Sequence, residues 1–424
     1  MTAPDFRTAL RARGPETWIA LLGLGIALSP THTKIAGAAW LLICIAGAIA
    51  FFRRPPPVRP PTPDAVGAAS RAWVLACLVC AVLATGVWLY WPDPPDTLHA
   101  EFRLLLAAAA THQLILRASD PEKWRAFTLP ATAFACGAAL LTIAPLPDKM
   151  LLPTNPIPWA VSVAFLLCVM LPVVFGDSLP PVRRKWYAVS VVMGLGAILL
   201  CHTRGAYAVL VWAPWLAATN WRRAHATINL RKFVVAGLAG LAILGSSAWL
   251  PSDPLRLRQG WNEVVTAERD GNYSTSMGAR MYSWSLAWQS FQESPWIGLG
   301  GKERLRRLKE AGLGAPDPER AQLALVRKLG HVHNQYLHSA MDGGLFGLAA
   351  TLAVVAGLGA AAFALRRADP VASRQMQGVL LLHATAGLTN VNLAHNYYAV
   401  MLSLAVAVIL AGSGARSRRL PQPA

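Results

Sequence analysis

The sequence predicts an all-α fold: a polytopic membrane bundle of about twelve transmembrane helices, with one large extracytoplasmic loop carrying short helices of its own. Three observations predict it. Of 424 residues, 54% are hydrophobic and only 14% charged, against roughly a quarter charged in soluble domains. Apolar runs of roughly 17–22 residues recur along the chain, long enough to cross a hydrocarbon core. These runs are continuously apolar rather than alternating, which selects helices over barrel strands as the way to pair backbone groups in lipid.

The runs fall near residues 16–30, 35–52, 72–91, 101–117, 127–145, 157–176, 186–202, 204–219, 233–250, 335–364, 376–390 and 395–412. Arg and Lys gather in alternate connections, such as "FFRRPPPVRP", "PPVRRKW" and "NWRRAHATINLRKF", while "SPTHTK", "WPDPPDTLHA" and "PLPDKMLLPTNPIP" hold few. This is the positive-inside pattern, and it places both termini in the cytoplasm. The net charge of +18 is thereby explained by topology, and no nucleic-acid partner is expected. Residues 1–250 form spans one to nine, 251–334 the loop, and 335–424 the last three spans and a cytoplasmic tail. The first apolar segment leads directly into a second, so no cleavable signal peptide is expected. All six cysteines lie in apolar segments. The Cys77/Cys80 pair has no second pair nearby and reads as buried thiols rather than a zinc site.

Within the loop, "STSMGARMYSWSLAWQSFQESPWIGLGG" predicts a helix from about Ser276 to Glu293, stopped by Pro295 and a glycine-rich turn. Trp284, Trp288 and Phe291 share one face of it, packed on the bundle or the lipid interface. "KERLRRLKEAG" is a short basic amphipathic helix, lying either against anionic head groups or as a solvated charged face. Asp317 is a candidate N-cap with Pro318 at the first helical position. The loop carries twelve Arg or Lys against nine acids, a weak pointer to an anionic ligand.

Four groups of polar residues stand out at the membrane edge. Arg204 sits between two apolar runs with almost no loop to hold it in water. It either faces the bundle interior, where its fork of donors suits phosphate oxygens, or snorkels to the interface. Arg280 taken alone is an ordinary loop arginine. His331, His333 and His338 crowd into "GHVHNQYLHSAMDGGLFG". Helical spacing puts His331 and His338 on one face and His333 away from it, no HExxH is present, and no acidic or thiol ligand lies close by, so no metal site is expected. Imidazoles at a membrane boundary suit proton transfer better, although His338 can instead be a helix-packing residue one turn from Asn334. Near the last span, His395, Asn396, Tyr397 and Tyr398 either line a cavity or anchor the interface. Gly343, Gly344 and Gly347 let a neighbouring helix or a lipid tail approach closely.

The spacing His333-Asn334, nine residues, Gly344-Leu345-Phe346-Gly347 fits the pattern H[N/S/Q]x₉GxxG. It resembles the O-antigen ligases of the WaaL type, within the family of O-antigen ligases, O-antigen polymerases and protein O-oligosaccharyltransferases. "HTRGAYAVL" is similar to that family's "SRG" segment, with Thr203 keeping a hydroxyl where serine is common. "GARMYSWSLAWQSFQESPWIGLG" is similar to its "GR…W…PxxGxG" segment. The motifs cover about fifty residues and occur in the family's order.

The resemblance implies an inner-membrane enzyme acting at the periplasmic face. It would transfer O-antigen from undecaprenyl pyrophosphate to a hydroxyl of lipid A–core, with inversion and without metal, nucleotide or other cofactor. Arg204 and Arg280 would hold the pyrophosphate. His333 would be the general base, with His338 the second choice, and Asn334, His395 and Tyr398 would be possible cavity-lining residues. An O-antigen polymerase and a protein O-oligosaccharyltransferase share the motifs. A transporter of a lipid-linked anion, from a different class, would show matching halves, and none is evident.

Overall fold

The structure, a computed structural model, describes residues 6–52, 64–117, 120–176, 180–224, 253 and 256–413. The apolar run expected at 233–250 lies outside them. Fifteen α-helices and no strands are found among the described residues. They are α1 (Phe6–Leu28), α2 (Thr33–Phe52), α3 (Asp64–Tyr90), α4 (His99–Arg117), α5 (Pro121–Ile143), α6 (Pro156–Val174), α7 (Pro181–Cys201) and α8 (Ala208–Ala224). The loop contributes α9 (Leu257–Asp270), α10 (Ser276–Glu293), α11 (Gly300–Glu310) and α12 (Asp317–Gln322), and the chain closes with α13 (Gln335–Leu365), α14 (Pro370–Gly387) and α15 (Asn396–Gly412).

The other eleven expected runs each coincide with a helix, giving an all-α polytopic bundle. By length and composition α2, α3, α5, α6, α7 and α13 can each cross a membrane, and Thr17–Leu28 and Asn396–Gly412 are shorter apolar stretches. Proline opens α5, α6 and α14, where its missing N–H costs nothing. The residue before it caps the helix in each case: Asp120, Asn155 and Asp369 accept from the backbone N–H of Glu122, Ile157 and Ala372 at 2.9–3.0 Å.

Helices apolar on every side belong in the interior, and α6 and α15 are buried along almost their whole length. Their neighbours close around them: α15 meets α2, α4, α5 and α14, while α6 meets α5, α7, α8 and α14. Several polar tips in this core are paired. Trp159 Nε1 donates to the Pro30 carbonyl, Tyr397 Oη to that of Ser29, and Gln375 Nε2 to that of Val169. Leu75, Val82, Leu141 and Val192 point outward and exposed from α3, α5 and α7, the apolar belt that a lipid bilayer covers.

The loop differs from the sequence reading in three ways. Helix α9 has no counterpart in it, because its amphipathic pattern is short and interrupted by Gly260. Helix α12 is capped by Pro316, so Asp317 is its first residue rather than its N-cap. The basic face of α11 is neutralised within the protein. Arg306 pairs with Glu303 and Glu310, Arg307 pairs with Glu293 and Glu303, and Arg304 pairs with Asp342. These pairs hold Glu303 down to about 2, chiefly through its hydrogen bond from Arg306.

Helix α13 is not one straight rod. Gly344 breaks it with φ 58° and ψ −145°, a conformation essentially closed to residues with a Cβ. Ser339 Oγ and Thr351 Oγ1 then lie 2.7 Å apart, whereas residues twelve apart on a straight helix are about 18 Å apart. Residues 335–343 make a short limb, and 345–365 make a span of about 31 Å. The "PWIGLG" turn fills the break: Leu345 N donates to the Pro295 carbonyl (2.7 Å), Phe346 N to that of Trp296 (3.4 Å), and Leu299 N to that of Met341 (2.9 Å). A Cβ on Gly344 would overlap the Pro295–Ile297 backbone, and one on Gly298 would overlap Asp342 and Gly343. What approaches Gly344 closely is thus the loop's own backbone rather than a neighbouring helix or a lipid tail. Gly344→Ala should lower the melting temperature in detergent by several degrees, read by intrinsic fluorescence. Gly37→Ala, with open space around it, should leave it unchanged.

Candidate active site

The histidine segment enters the site as extended chain, not helix. Val332 is fully buried against Ala287 and Met341. Its carbonyl accepts from Trp284 Nε1 (2.9 Å) and Ser283 Oγ (3.3 Å) of α10. Of the three aromatic residues on that helix face, Trp284 alone anchors the segment; Trp288 is 52% exposed and packs on Phe291. His333 follows in a left-handed conformation, φ 52°, which turns its ring away from the path of α13. Asn334 then caps α13, its Oδ1 accepting from Tyr336 N and Leu337 N at 3.0 and 3.1 Å.

Helical spacing therefore misplaces these imidazoles. Helix α13 starts only at Gln335, so His331 and His333 lie in the segment before it, their ring centroids 4.2 Å apart and edge to face. His395, just before α15, meets His331 edge-on at 6.2 Å. His333 Nδ1 lies 3.3 Å from Asn390 Oδ1, while Asn390 Nδ2 donates to Asn392 Oδ1 at 3.2 Å. With Asn390 oriented so that its Nδ2 donates to Asn392, its oxygen accepts from Nδ1 and leaves Nε2 its lone pair. Burial, followed by His331 and Arg280, pushes His333 down to about 3; burial and His395 push His331 down to about 4. Both rings are neutral at pH 7.

A cavity of about 340 Å³ holds both arginines that the sequence singled out, together with Lys149 and Arg256, against one carboxylate, Glu263. Arg204 stands in a one-turn 3₁₀ helix (Arg204–Ala206) after the left-handed cap of α7 at His202. Its guanidinium lies over Gly260 of α9, where any Cβ would displace it. Arg280, on α10, is partly buried; burial and the nearby Arg204 lower its pKa, and Glu263 opposes them. Among the described residues neither guanidinium forms a hydrogen bond or a salt bridge. Thr203 turns its hydroxyl back to the Cys201 thiol and carbonyl. Thr389, beside Asn390, joins this cavity to the His333 ring.

His331 also lines a second cavity of about 320 Å³, with Asp93, Glu101, Arg304, His338 and Asp342. An acid does lie close to the histidines: His338 Nε2 is 3.5 Å from Asp342 Oδ2, and Arg304 Nε donates to both Asp342 oxygens at 2.8 and 3.0 Å. Among the described residues no three His, Cys, Asp or Glu side chains converge to hold a metal ion. This arrangement brings together an arginine couple, unpaired among the described residues, and a neutral imidazole.

Residues 188–352 match the family model described as O-antigen ligase. Over this stretch, less than half of the chain, the sequence is similar to the O-antigen ligase family. It is consistent with the O-antigen ligase and polymerase superfamily, whose members are glycosyltransferase-type enzymes acting on lipid-linked sugars. No curated protein matches the chain. The matched stretch spans Arg204, Arg280, His333 and the break at Gly344. Asn390, which orients His333, and Lys149 lie outside it.

The remaining expected residues are placed differently. Tyr398 is fully buried, its hydroxyl 2.7 Å from His383 Nδ1 and its ring against Phe165. His395 faces His331, and the Asn334 side-chain oxygen is engaged in capping. Sequence reasoning missed Lys149, Arg256, Asn390, Glu101 and Asp342. Two carried a signal: Lys149 is the lone cation of "PLPDKMLLPTNPIP", and Asp342 is a carboxylate within an apolar run. Because folding lowers both histidine pKa values, the unfolded chain takes up protons first as pH falls below about 6.5, and stability drops toward pH 4. Chemical denaturation across that range should show the drop, and His331→Asn/His333→Asn should flatten it.

Proposed function

We propose that this protein transfers O-antigen from undecaprenyl pyrophosphate to a sugar hydroxyl of lipid A–core at the periplasmic face of the inner membrane, completing lipopolysaccharide. The observation that carries this reading is an anion-seeking arginine pair, unpaired among the described residues, next to a neutral imidazole whose accepting nitrogen is fixed. Arg204 and Arg280 bind the pyrophosphate of the lipid-linked donor, with Lys149 and Arg256 adding positive charge around it. His333 Nε2 takes the proton of the acceptor hydroxyl as that oxygen bonds to the anomeric carbon. The bond from that carbon to the phosphate oxygen breaks on the other side, and undecaprenyl pyrophosphate leaves with the electron pair, inverting the centre.

Two electrostatic effects support these roles. Guanidinium groups held in place before substrate arrives stabilise charge developing on the leaving group without reorganisation. The incoming pyrophosphate also offsets the field of Arg280 that depresses His333, so the base becomes more basic when donor is bound. The reaction then needs no metal ion, nucleotide or other cofactor.

Purified protein in detergent, supplied with lipid-linked O-antigen and lipid A–core, should yield full lipopolysaccharide at a rate unchanged by chelator. His333→Ala should lower kcat about 10²–10⁴-fold, and product formation that survives it would refute the general-base role. Arg204→Ala and Arg280→Ala should each cost about 10²–10³-fold, with Arg280→Lys restoring only part because it loses the planar fork. Longer lipid-linked glycan formed without lipid A–core would instead identify a polymerase, and transfer to serine or threonine a protein O-oligosaccharyltransferase.

A further inference from the structure

The second cavity has a chemistry opposite to the first, and the two share no lining residue. Its lining includes three carboxylates, Asp93, Glu101 and Asp342, against one guanidinium, Arg304. That guanidinium is committed to Asp342 and the Gly330 carbonyl, which leaves Asp93 and Glu101 without a cation among the described lining residues. Two tryptophans flank it with their indole N–H groups tied down: Trp88 to the Asp93 carbonyl at 2.7 Å and Trp91 to that of Ile297 at 3.0 Å. Their ring positions are fixed before any ligand arrives.

Three polar atoms of this lining are shut off from solvent and lack a hydrogen-bond partner: Glu101 Oε2, His331 Nδ1 and His338 Nδ1. Buried polar atoms are nearly always paired, so three on one cavity point to a ligand that pairs them. The volume, about 320 Å³, is at the small end of ligand pockets. One of the three groups, His331, is 4.2 Å from the His333 ring, which puts the cavity within one imidazole's width of the proposed base.

We propose that this cavity seats the hydroxyl-bearing ring of the acceptor saccharide and selects an uncharged ring over a carboxylated or phosphorylated one. The inference rests on the glycosyl-transfer reading above. Ring hydroxyls donate to Glu101 and the carboxylate edge, ring C–H faces lie on Trp88 and Trp91, and the carboxylates left without a cation repel an anionic sugar. Charge thereby sorts the two substrates: the anionic donor head enters the arginine cavity, and the neutral acceptor ring enters the carboxylate cavity.

The test is saturation-transfer NMR on the full chain in detergent, using methyl β-galactoside, methyl β-glucoside and methyl β-glucuronide as probes. The neutral glycosides should give at least fivefold more transfer than the glucuronide. Glu101→Gln should raise the glucuronide signal several-fold, and Glu101→Leu should abolish most of the neutral signal. Equal signals from all three probes, no signal from any, or a neutral signal unchanged in Glu101→Leu overturns the assignment. Should Glu101→Leu fail to fold, the glucuronide response of Glu101→Gln decides. His333→Ala should lose transfer while keeping charge-selective glycoside binding. Transfer without glycoside binding removes this cavity and leaves the reaction standing, whereas charge-selective binding without transfer by the unmutated chain removes the reaction.

Discussion

Everything at the candidate site hangs on the backbone lock between the break in α13 and the turn that ends α10. At Gly344 the helix ladder is interrupted, and the Pro295 and Trp296 carbonyls take the N–H groups of Leu345 and Phe346. The lock fixes α10 against the short limb 335–343 from one side. The Ser283 and Trp284 bonds to the Val332 carbonyl fix it from the other. Arg280 is carried on α10 and His333 on the segment leading into the limb, so their relation is set by hydrogen bonds to main-chain carbonyls, from backbone N–H groups at the break and from the Ser283 and Trp284 side chains at Val332. Arg304 adds a third tie, reaching from α11 to Asp342 on the limb and to Gly330 before the histidines.

On this frame the charges are arranged by what they lack. Three cations of the loop, Arg304, Arg306 and Arg307, are neutralised close to home by Asp342, Glu303, Glu310 and Glu293. Arg204 and Arg280 instead share one cavity, and their mutual proximity is unfavourable until an anion arrives. Burial, then His331 and Arg280, keep His333 neutral. Arg280 thus serves twice: it is placed to meet an anion, and it opposes the protonation that would inactivate the base.

Much of the fold was legible because membrane helices announce themselves: in lipid a backbone must pair within its own segment, so long apolar runs have one structural outcome. The loop was legible only where a pattern was strong. Helix α10 spans Ser276–Glu293 as expected and ends before Pro295, whereas α9 was missed, and α11 read as a charged surface although its arginines are paired within the protein. Arg204 and Arg280 were each ambiguous in sequence, one open to a snorkelling reading and the other an ordinary loop residue. Seventy-five positions separate them, and nothing local says that they face one another.

The sequence by itself determined the all-helical membrane class and the crowding of three histidines into one short segment. Both follow from short-range features of hydropathy and side-chain type. Tertiary structure alone decided that His333 lies beside Asn390 and Arg280, and that Tyr398 belongs to the core with His383. It also decided that the imidazoles stand between an arginine cavity and a carboxylate cavity. These are long-range facts. They depend on a helix that Gly344 breaks and a distant turn that fills the gap, and pairing between remote backbones leaves no periodic trace in the chain.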